Sequence, residues 1–344
     1  MTEYTFPELI HEIGRGKTGA KHLTREQAYF AARYLLEGRA TPHQEGAFLL
    51  AMRTKGESPT ELAAFTQAAR ELMKPVTCER TGEVLDIPTY AGKKQTLHGL
   101  IASSVIVASC GVPVLLHGYS QFPGRVGVAP ILTALGIPID QSPEEAGRQL
   151  NRVNCAYVEL HNFHPRLFYF LELRKQVGVR SLFHEVARML NPANSGAQLI
   201  GISHPPYLEV DAEALRLVGA KRVLIFRGLE GDAEFPLASE AKMVELKDGT
   251  VTTLVIRPGD LDLRLPDRAM LKANDLTQEA HELQTILSDR ADDSRRDWVA
   301  LNAALGLYIA AKAASLAEAV GMAHDALDSG RAAEHLAQVC AYSP

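Results

Sequence analysis

The segment "DIPTYAGKKQT", residues 86–96, links a short buried strand to a long apolar helix. The strand is predicted over residues 84–87 and the helix over residues 97–110, because both are apolar and the loop between them is polar. A loop in this position directs free backbone N–H groups and the positive end of the helix dipole toward one point. The unit therefore predicts an α/β fold with an anion-binding loop.

The loop itself contains residue types that suit an anion. They are Gly92, Lys93, Lys94 and Thr96. Glycine permits close backbone approach to a ligand, the lysines add positive charge, and the threonine hydroxyl can donate a hydrogen bond. The loop is not a Walker loop, because no glycine stands five residues before Gly92. Two solvated lysines in a polar loop would give the same pattern, so both interpretations stay open.

A second loop has the same layout. In "VPVLLHGYSQFPGRVGVAPILTALG", residues 112–136, His117 and Gly118 leave a strand, and Gly124 and Arg125 enter a helix. The guanidinium of Arg125 matches phosphate oxygens in a bidentate manner. A buried histidine at a strand end and a surface arginine are the alternatives. Two such loops on neighbouring strands favour the anion site.

Further apolar runs alternate with helical stretches after residue 75. The strand candidates are "VPVLLHG", "CAYVEL", "QLIGIS" and "RVLIF". Strands this apolar, separated by helices, predict a mostly parallel sheet covered on both faces. The run "VELKDGTVTTLVI" predicts a hairpin at a sheet edge, with Asp248 and Gly249 in the turn. From residue 273 the chain returns to helix, including "DWVALNAALGLYIAAKAASLAEAV".

Residues 1–75 form helices only in this interpretation. Three helix starts carry a capping box, in which a hydroxyl and a carboxylate or amide satisfy each other's backbone N–H groups. The pairs are Thr24 with Gln27, Thr41 with Gln44, and Ser58 with Glu61. The sequence therefore predicts a helical domain over residues 1–75 and a larger α/β domain, with a mixed, mostly parallel sheet, over residues 76–344.

Charge and composition limit the class of protein. The 344 residues are 46% apolar with a net charge of −5, so there is no chain-wide basic field. Residues 88–188 nevertheless hold 10 Lys and Arg against 6 Asp and Glu. No CxxC pair, leader or membrane-length apolar run is recognisable, which predicts a cytoplasmic protein with reduced cysteines.

The order of motifs resembles the anthranilate phosphoribosyltransferase family over almost the full chain. The matching stretches are "GRATPHQEGAFLLAMRTKGES", "VASCGVPVLLHG", "HPRLFYFLELRKQVGVRSLFHEVARMLNP" and "LNAALGLYIA". The resemblance implies a small helical domain joined to an α/β domain, and a homodimer formed through the helical domain. It also implies magnesium-dependent transfer of a phosphoribosyl group from phosphoribosyl pyrophosphate to the amine of anthranilate.

The sequence departs from the family at the motifs that carry this chemistry. The glycine-rich "GTGGD" loop, which holds pyrophosphate in the family, corresponds here to "PTYAG" followed by two lysines. The "KHGNR" motif has lost its lysine to Leu116 and its asparagine to Tyr119. The acidic metal pair falls at Ala233 and Glu234 in "EGDAEFP". These changes remove donors and ligands that would stabilise a pyrophosphate leaving group.

Two functions follow from the resemblance. The pattern is most similar to a divergent branch described as sequence-independent nucleic-acid-binding proteins, which would require no cofactor and would present a basic strip. The predicted phosphate contacts are Gly92, Lys93, Lys94, Thr96, His117, Gly118, Arg125, Arg166 and Arg174. The alternative is an active phosphoribosyltransferase with a closed pocket, magnesium near Glu230, Asp232 and Glu234, and Arg174 close to anthranilate.

Overall fold

A computed structural model describes residues 4–16, 18–272, 274–288 and 293–343. Its centre is a seven-stranded sheet in the order β3-β2-β1-β4-β5-β6-β7. The strands are β1 (Leu85–Thr89), β2 (Val114–Gly118), β3 (Cys155–Glu159), β4 (Ala197–Ile202), β5 (Arg222–Arg227), β6 (Ala241–Lys247) and β7 (Thr250–Ile256). The first five are parallel, and β6 and β7 are antiparallel to their neighbours.

Helices surround this sheet and precede it in the chain. The first four are α1 (Phe6–Ile13), α2 (Arg25–Leu36), α3 (Pro42–Lys55) and α4 (Pro59–Leu72). The next eight are α5 (Gly99–Ser109), α6 (Val128–Ala134), α7 (Pro143–Val153), α8 (Leu160–Phe163), α9 (Pro165–Glu172), α10 (Arg174–Val177), α11 (Phe183–Arg188) and α12 (Tyr207–Leu217). The last four are α13 (Leu276–Ser288), α14 (Ser294–Ile309), α15 (Leu316–Asp328) and α16 (Arg331–Cys340). The predicted fold class is confirmed.

Two hydrophobic clusters cover the two faces of the sheet. Alternate strand residues point to opposite faces, so Leu199 and Leu224 join the cluster that contains α5 and α13–α16. Ile200 and Ile225 join the other cluster, which contains α1–α4 and the segment from α8 to α12. The N-terminal helices thus share a core with the sheet. None of the described helices combines the length and apolar character needed to cross a bilayer.

Local sequence signals account for most of these boundaries. All three predicted capping boxes are present at α2, α3 and α4, and the hairpin turns through Asp248 and Gly249, both at positive φ. The run "DWVALNAALGLYIAAKAASLAEAV", predicted to be helical, is divided between α14 and α15. Ala311 has a φ of 58° just after α14, and Ser315 caps the start of α15. The apolar period continues across this break, so periodicity alone does not reveal it.

The order of the strands creates the crevice where a site can form. β1 pairs with β2 on one side and with β4 on the other. The strand order therefore runs in opposite directions from β1, toward β2 and β3 on one side and toward β4 and β5 on the other. Ligands in open α/β sheets bind beyond the carboxyl ends of the strands at such a switch point. Here the loops after β1, β2, β4 and β5 all leave this edge of the sheet.

Candidate anion-binding site

The loops after β1 and β2 are joined by backbone hydrogen bonds. Lys93 N donates to Val126 O at 2.7 Å, and Val126 N donates to Lys93 O at 2.8 Å. Gly92, with φ 63°, allows this contact, because a Cβ there would lie 2.7 Å from the ring of Phe122. The two predicted anion loops therefore form one continuous surface.

Lys93 points into the protein instead of toward a ligand. Only 2% of the residue is exposed, and its ammonium donates to Leu97 O at 2.8 Å and to the carboxylate of Glu234. The hydroxyl of Thr96 lies 3.3 Å from the same nitrogen. These three acceptors match the three protons of an ammonium group. Lys93 is a structural cation here, which differs from its predicted role as a surface phosphate contact.

The backbone N–H groups after Lys93 converge on an anion, which is the carboxylate of Glu230 in the same chain. The carboxylate of Glu230 accepts hydrogen bonds from Lys94 N at 2.8 Å, Gln95 N at 3.2 Å and Thr96 N at 3.1 Å. The Thr96 hydroxyl donates to it at 3.0 Å. We call residues 94–96 the cradle. Burial alone would raise the pKa of Glu230, but these donors outweigh it and hold the pKa below its usual value.

Arg125 holds the same loops together through carbonyl groups. Its Nη1 donates to Gly92 O at 2.7 Å and lies 3.3 Å from Glu230 O. The side chain is partly buried and lines a cavity beside the cradle. The Nη1 group of Arg125 is therefore hydrogen-bonded within the protein.

The predicted histidine and glycine at the end of β2 are buried. His117 is fully buried, with Nδ1 2.9 Å from Tyr90 Oη and Nε2 3.3 Å from a carboxylate oxygen of Asp86. A Cβ at Gly118 would collide with Thr89. The structure thus places both residues in packing and hydrogen bonding within the sheet.

Arg166 joins two parts of the fold. Its guanidinium forms an ion pair with Glu45 on α3, and Nε donates to Leu35 O at 3.1 Å. It also lies over the rings of Tyr169 and Phe170, at 4.4 and 4.8 Å from their centroids. The contacts with Glu45 and Leu35 O fix α9 to the N-terminal helices.

Four cationic side chains do gather in a cleft next to the cradle. The cleft has a volume of about 320 Å³ and is lined by Lys94, Phe122, Pro123, Arg125, Arg174, Arg180, Ser203 and His204. An inner cavity of about 100 Å³ shares Phe122, Pro123, Arg174 and Arg180 with it. We call the two together the basic cleft. Arg174, which the resemblance places close to anthranilate, lines this cleft, and so does Arg180, which is not among the predicted site residues.

Arg180 lies in this cleft among more cations than carboxylates, with Glu185 as the one carboxylate that acts on it appreciably. Burial, together with the neighbouring Arg188, Arg174 and Arg125, lowers its pKa to about 10. Within the described residues, the side chains of Lys94, Arg174 and Arg180 form no ion pair or hydrogen bond with the protein. Partly desolvated cations without a partner attract anions strongly. The only sequence signal for Arg180 is the basic character of the middle third of the chain.

The acidic residues expected near magnesium do not form a metal site. Asp232 accepts from Ala91 N at 3.3 Å, and Glu234 binds Lys93 on one oxygen and Leu100 N, at 2.9 Å, on the other. Ala233 offers no ligand. Across the described ranges, no group of three or more His, Cys, Asp or Glu is placed to hold a metal ion. An ammonium therefore neutralises Glu234, and the residues present do not fit magnesium.

Comparison with known proteins assigns the family. The helical bundle domain of the glycosyl transferase family matches residues 7–73, and the α/β domain of the same family matches residues 92–333. Anthranilate phosphoribosyltransferase of Methanocorpusculum labreanum is 33% identical, covering 95% of this chain and 96% of the relative. The enzyme of Geobacillus kaustophilus is 33% identical, covering 96% of each chain.

Solved structures agree with this assignment. The crystal structure of anthranilate phosphoribosyltransferase from Thermus thermophilus matches with a TM-score of 0.86 and 30% identity, covering 97% of this chain and 98% of that one. The Saccharomyces cerevisiae enzyme in complex with PRPP and Mg matches with a TM-score of 0.79, covering 98% of both chains, and at 16% identity it supports the fold alone. By sequence and by fold, this chain belongs to the anthranilate phosphoribosyltransferase family.

Proposed function

We propose that this chain is a nucleic-acid-binding member of its family and that the basic cleft contacts the phosphate backbone. The observation that carries the proposal is the group formed by Lys94, Arg174 and Arg180, whose side chains form no ion pair in the described structure. When such cations neutralise phosphates, the nucleic acid releases its condensed counterions, which provides sequence-independent affinity. Phe122 lines the same cleft and offers an aromatic face on which a base can stack.

The residues around the cradle support binding over phosphoribosyl transfer. Displacement of pyrophosphate requires fixed donors for the leaving group and a cation that neutralises it. In this chain Glu230 occupies the donors and Lys93 occupies Glu234. The site therefore lacks free partners for both the pyrophosphate and the magnesium. A nucleic acid in the basic cleft needs neither.

Phosphoribosyl transfer to an aromatic amine remains the second candidate, because full-length relatives at 33% identity are named anthranilate phosphoribosyltransferase. The inner cavity also has suitable chemistry for an aromatic carboxylate. Tyr90 and Tyr119 line it together with Arg174 and Arg180. Burial lowers the pKa of His184, at the same cavity, to about 3, so its ring is neutral at pH 7.

A salt titration tests nucleic-acid binding. We expect the protein to bind unrelated single-stranded oligonucleotides at low salt, with log affinity falling linearly against log salt. Replacing Lys94, Arg174 and Arg180 by Gln together should reduce the steepness of that line by about 2 per subunit, at about 0.7 per phosphate contact. Lys93→Ala should leave the slope unchanged, because its ammonium is buried.

Lys242→Gln is a single-charge control for this titration. Lys242 is exposed on β6, pairs with Glu209 and does not line the cleft, so its replacement removes one positive charge from another part of the surface. Its slope should equal that of the wild type. Absence of binding at low salt, or a triple variant with an unchanged slope, would contradict the proposal.

A transferase assay addresses the second candidate. We expect no phosphoribosyl-anthranilate when the protein is mixed with anthranilate, phosphoribosyl pyrophosphate and magnesium, because the leaving group has no free donors in the cradle. The loss of anthranilate fluorescence measures turnover, with the Geobacillus kaustophilus relative as the positive control. Turnover on the order of 1 per second or more would establish the transferase and overturn our choice between the two functions.

A further inference from the structure

The seven-stranded sheet ends in β7, which pairs with β6 on one side only. The two strands are joined by a two-residue turn, so the flanking residues Lys247 and Thr250 form a hydrogen-bonded pair. Hydrogen-bonded and non-hydrogen-bonded pairs alternate along an antiparallel ladder. The main-chain N–H and C=O groups of Val251, Thr253 and Val255 therefore point away from β6. Among the described residues, no hydrogen bond from elsewhere in the chain reaches these groups.

β7 lacks the features that usually protect the edge of a sheet. The strand, Thr250–Ile256, contains no charged residue and no proline, and its register with β6 is unbroken, so it has no bulge. Thr250, Thr252 and Thr253 are exposed, and Val255 is 46% exposed. A long, uncharged and regular edge of this kind is a template for pairing with another chain.

The sequence of β7 is complementary to itself about its central residue, Thr253. When a second copy lies antiparallel with a two-fold axis at this residue, Thr253 faces its own counterpart and Val251 faces Val255. Every outward-pointing residue of one copy then meets an outward-pointing residue of the other, and each such pair exchanges two hydrogen bonds. The paired side chains are all β-branched, and cross-strand pairs of this kind stabilise a sheet.

The charges at the two ends of β7 also favour a second copy. In this register Gly249 faces Arg257 of the second copy, so Asp248 lies one position from that arginine. Asp248 and Arg257 are both exposed, and the present partner of Arg257 is the exposed Glu240, at 2.9 Å. The two-fold axis repeats the contact at the other end. Opposite charges therefore flank an uncharged central ladder on both sides.

We propose that β7 is an interface at which a second copy of this chain pairs antiparallel about Thr253, so that one sheet continues through two subunits. A second copy is the occupant that β7 favours, because the ladder and the charge contacts are both symmetric. The contact is one strand wide, so the association is weak and depends on protein concentration. It is distinct from the dimer through the helical domain that the resemblance implies. It also goes beyond the proposed function, since no residue of the basic cleft takes part.

Sedimentation of the purified full chain from micromolar to millimolar concentration tests this interface. Thr253→Lys sets two ammonium groups directly opposite each other across the axis, and we expect the association constant to fall at least about fivefold. Thr253 is exposed at the free edge, so each subunit should stay folded, which circular dichroism verifies. Thr133→Lys is the matched control, because Thr133 is exposed on α6 and gains the same charge away from β7. Its association constant should equal that of the wild type.

Cysteine cross-linking tests the register of the pairing. Opposite Cα atoms of a hydrogen-bonded antiparallel pair are about 5.5 Å apart, a separation that a disulfide spans. Thr253→Cys should therefore give a covalent dimer when diamide oxidises the two thiols to a disulfide. Thr250→Cys is the matched control, because the two copies of position 250 lie about 20 Å apart in this register. The wild type, with its four native cysteines, gives the background.

Two results would overturn the proposal. One is a wild-type association constant that Thr253→Lys leaves unchanged, or a wild type that does not associate further as its concentration rises. The other is an equal yield of covalent dimer from Thr253→Cys and Thr250→Cys. Oligonucleotide binding is measured separately, so failure of this interface leaves the proposed function untouched.

Discussion

Replacing Lys93 by methionine is expected to lower the free energy of unfolding by about 3–5 kcal/mol. The substitution keeps most of the side-chain volume but removes the ammonium that binds Glu234, Leu97 O and the Thr96 hydroxyl. Glu234 is fully buried, and the N–H of Leu100 would be its one remaining donor among those described. An unpaired buried carboxylate accounts for most of the expected loss. Urea denaturation of the purified variant measures it.

A double-mutant cycle identifies the origin of this loss. Glu234→Gln removes the charge but keeps an oxygen that can accept from Leu100 N. The double variant Lys93→Met with Glu234→Gln should regain most of the stability, because replacing both members of a buried ion pair is often close to neutral. If Lys93→Met alone costs less than about 1 kcal/mol, the ammonium is not the partner of a charged Glu234.

Arg166→Ala is expected to cost about 2–4 kcal/mol of stability and to leave oligonucleotide binding unchanged. The guanidinium pairs with Glu45, which is 3% exposed, and lies over the rings of Tyr169 and Phe170. Truncation leaves Glu45 with Tyr169 Oη, at 2.7 Å, as its described side-chain donor. Chemical denaturation gives the stability, and the salt titration gives the binding.

Arg152→Ala serves as the control for Arg166→Ala. Arg152 is exposed near the end of α7, so its removal should change stability by no more than about 0.5 kcal/mol. Both variants lose the same charge. A flatter salt slope for Arg166→Ala, in a protein as stable as the wild type, would return this residue to the nucleic-acid interface and contradict its structural assignment.

The sequence predicts those features whose causes are local. A capping box needs four consecutive residues, and a hairpin turn needs Asp248 and Gly249, so both can be recognised without knowledge of the fold. The apolar runs likewise identify the parallel strands, because burial on both faces excludes polar residues. Because these strands are parallel, the loops that contain Gly92 and Arg125 are then expected at the carboxyl edge of the sheet.

The chemistry of the site depends on partners that are distant in the chain. Lys93 and Glu234 are 141 positions apart, and Lys94 and Glu230 are 136 apart. No local pattern distinguishes a lysine that turns inward to a buried carboxylate from one that faces solvent. The same holds for Arg180, whose surroundings hold more cations than carboxylates. Such features appear only when the loops after β1 and β5 are placed together.

The ion pair of Lys93 and Glu234 also constrains how this chain can evolve. An acidic residue at position 93 would set a second carboxylate against Glu234 inside the protein, and a neutral one would leave Glu234 without a counter-charge. A single substitution at either position therefore leaves a protein with an uncompensated buried charge. Cells remove such poorly folded intermediates. Lys93 and Glu234 are therefore expected to change together or to be retained together.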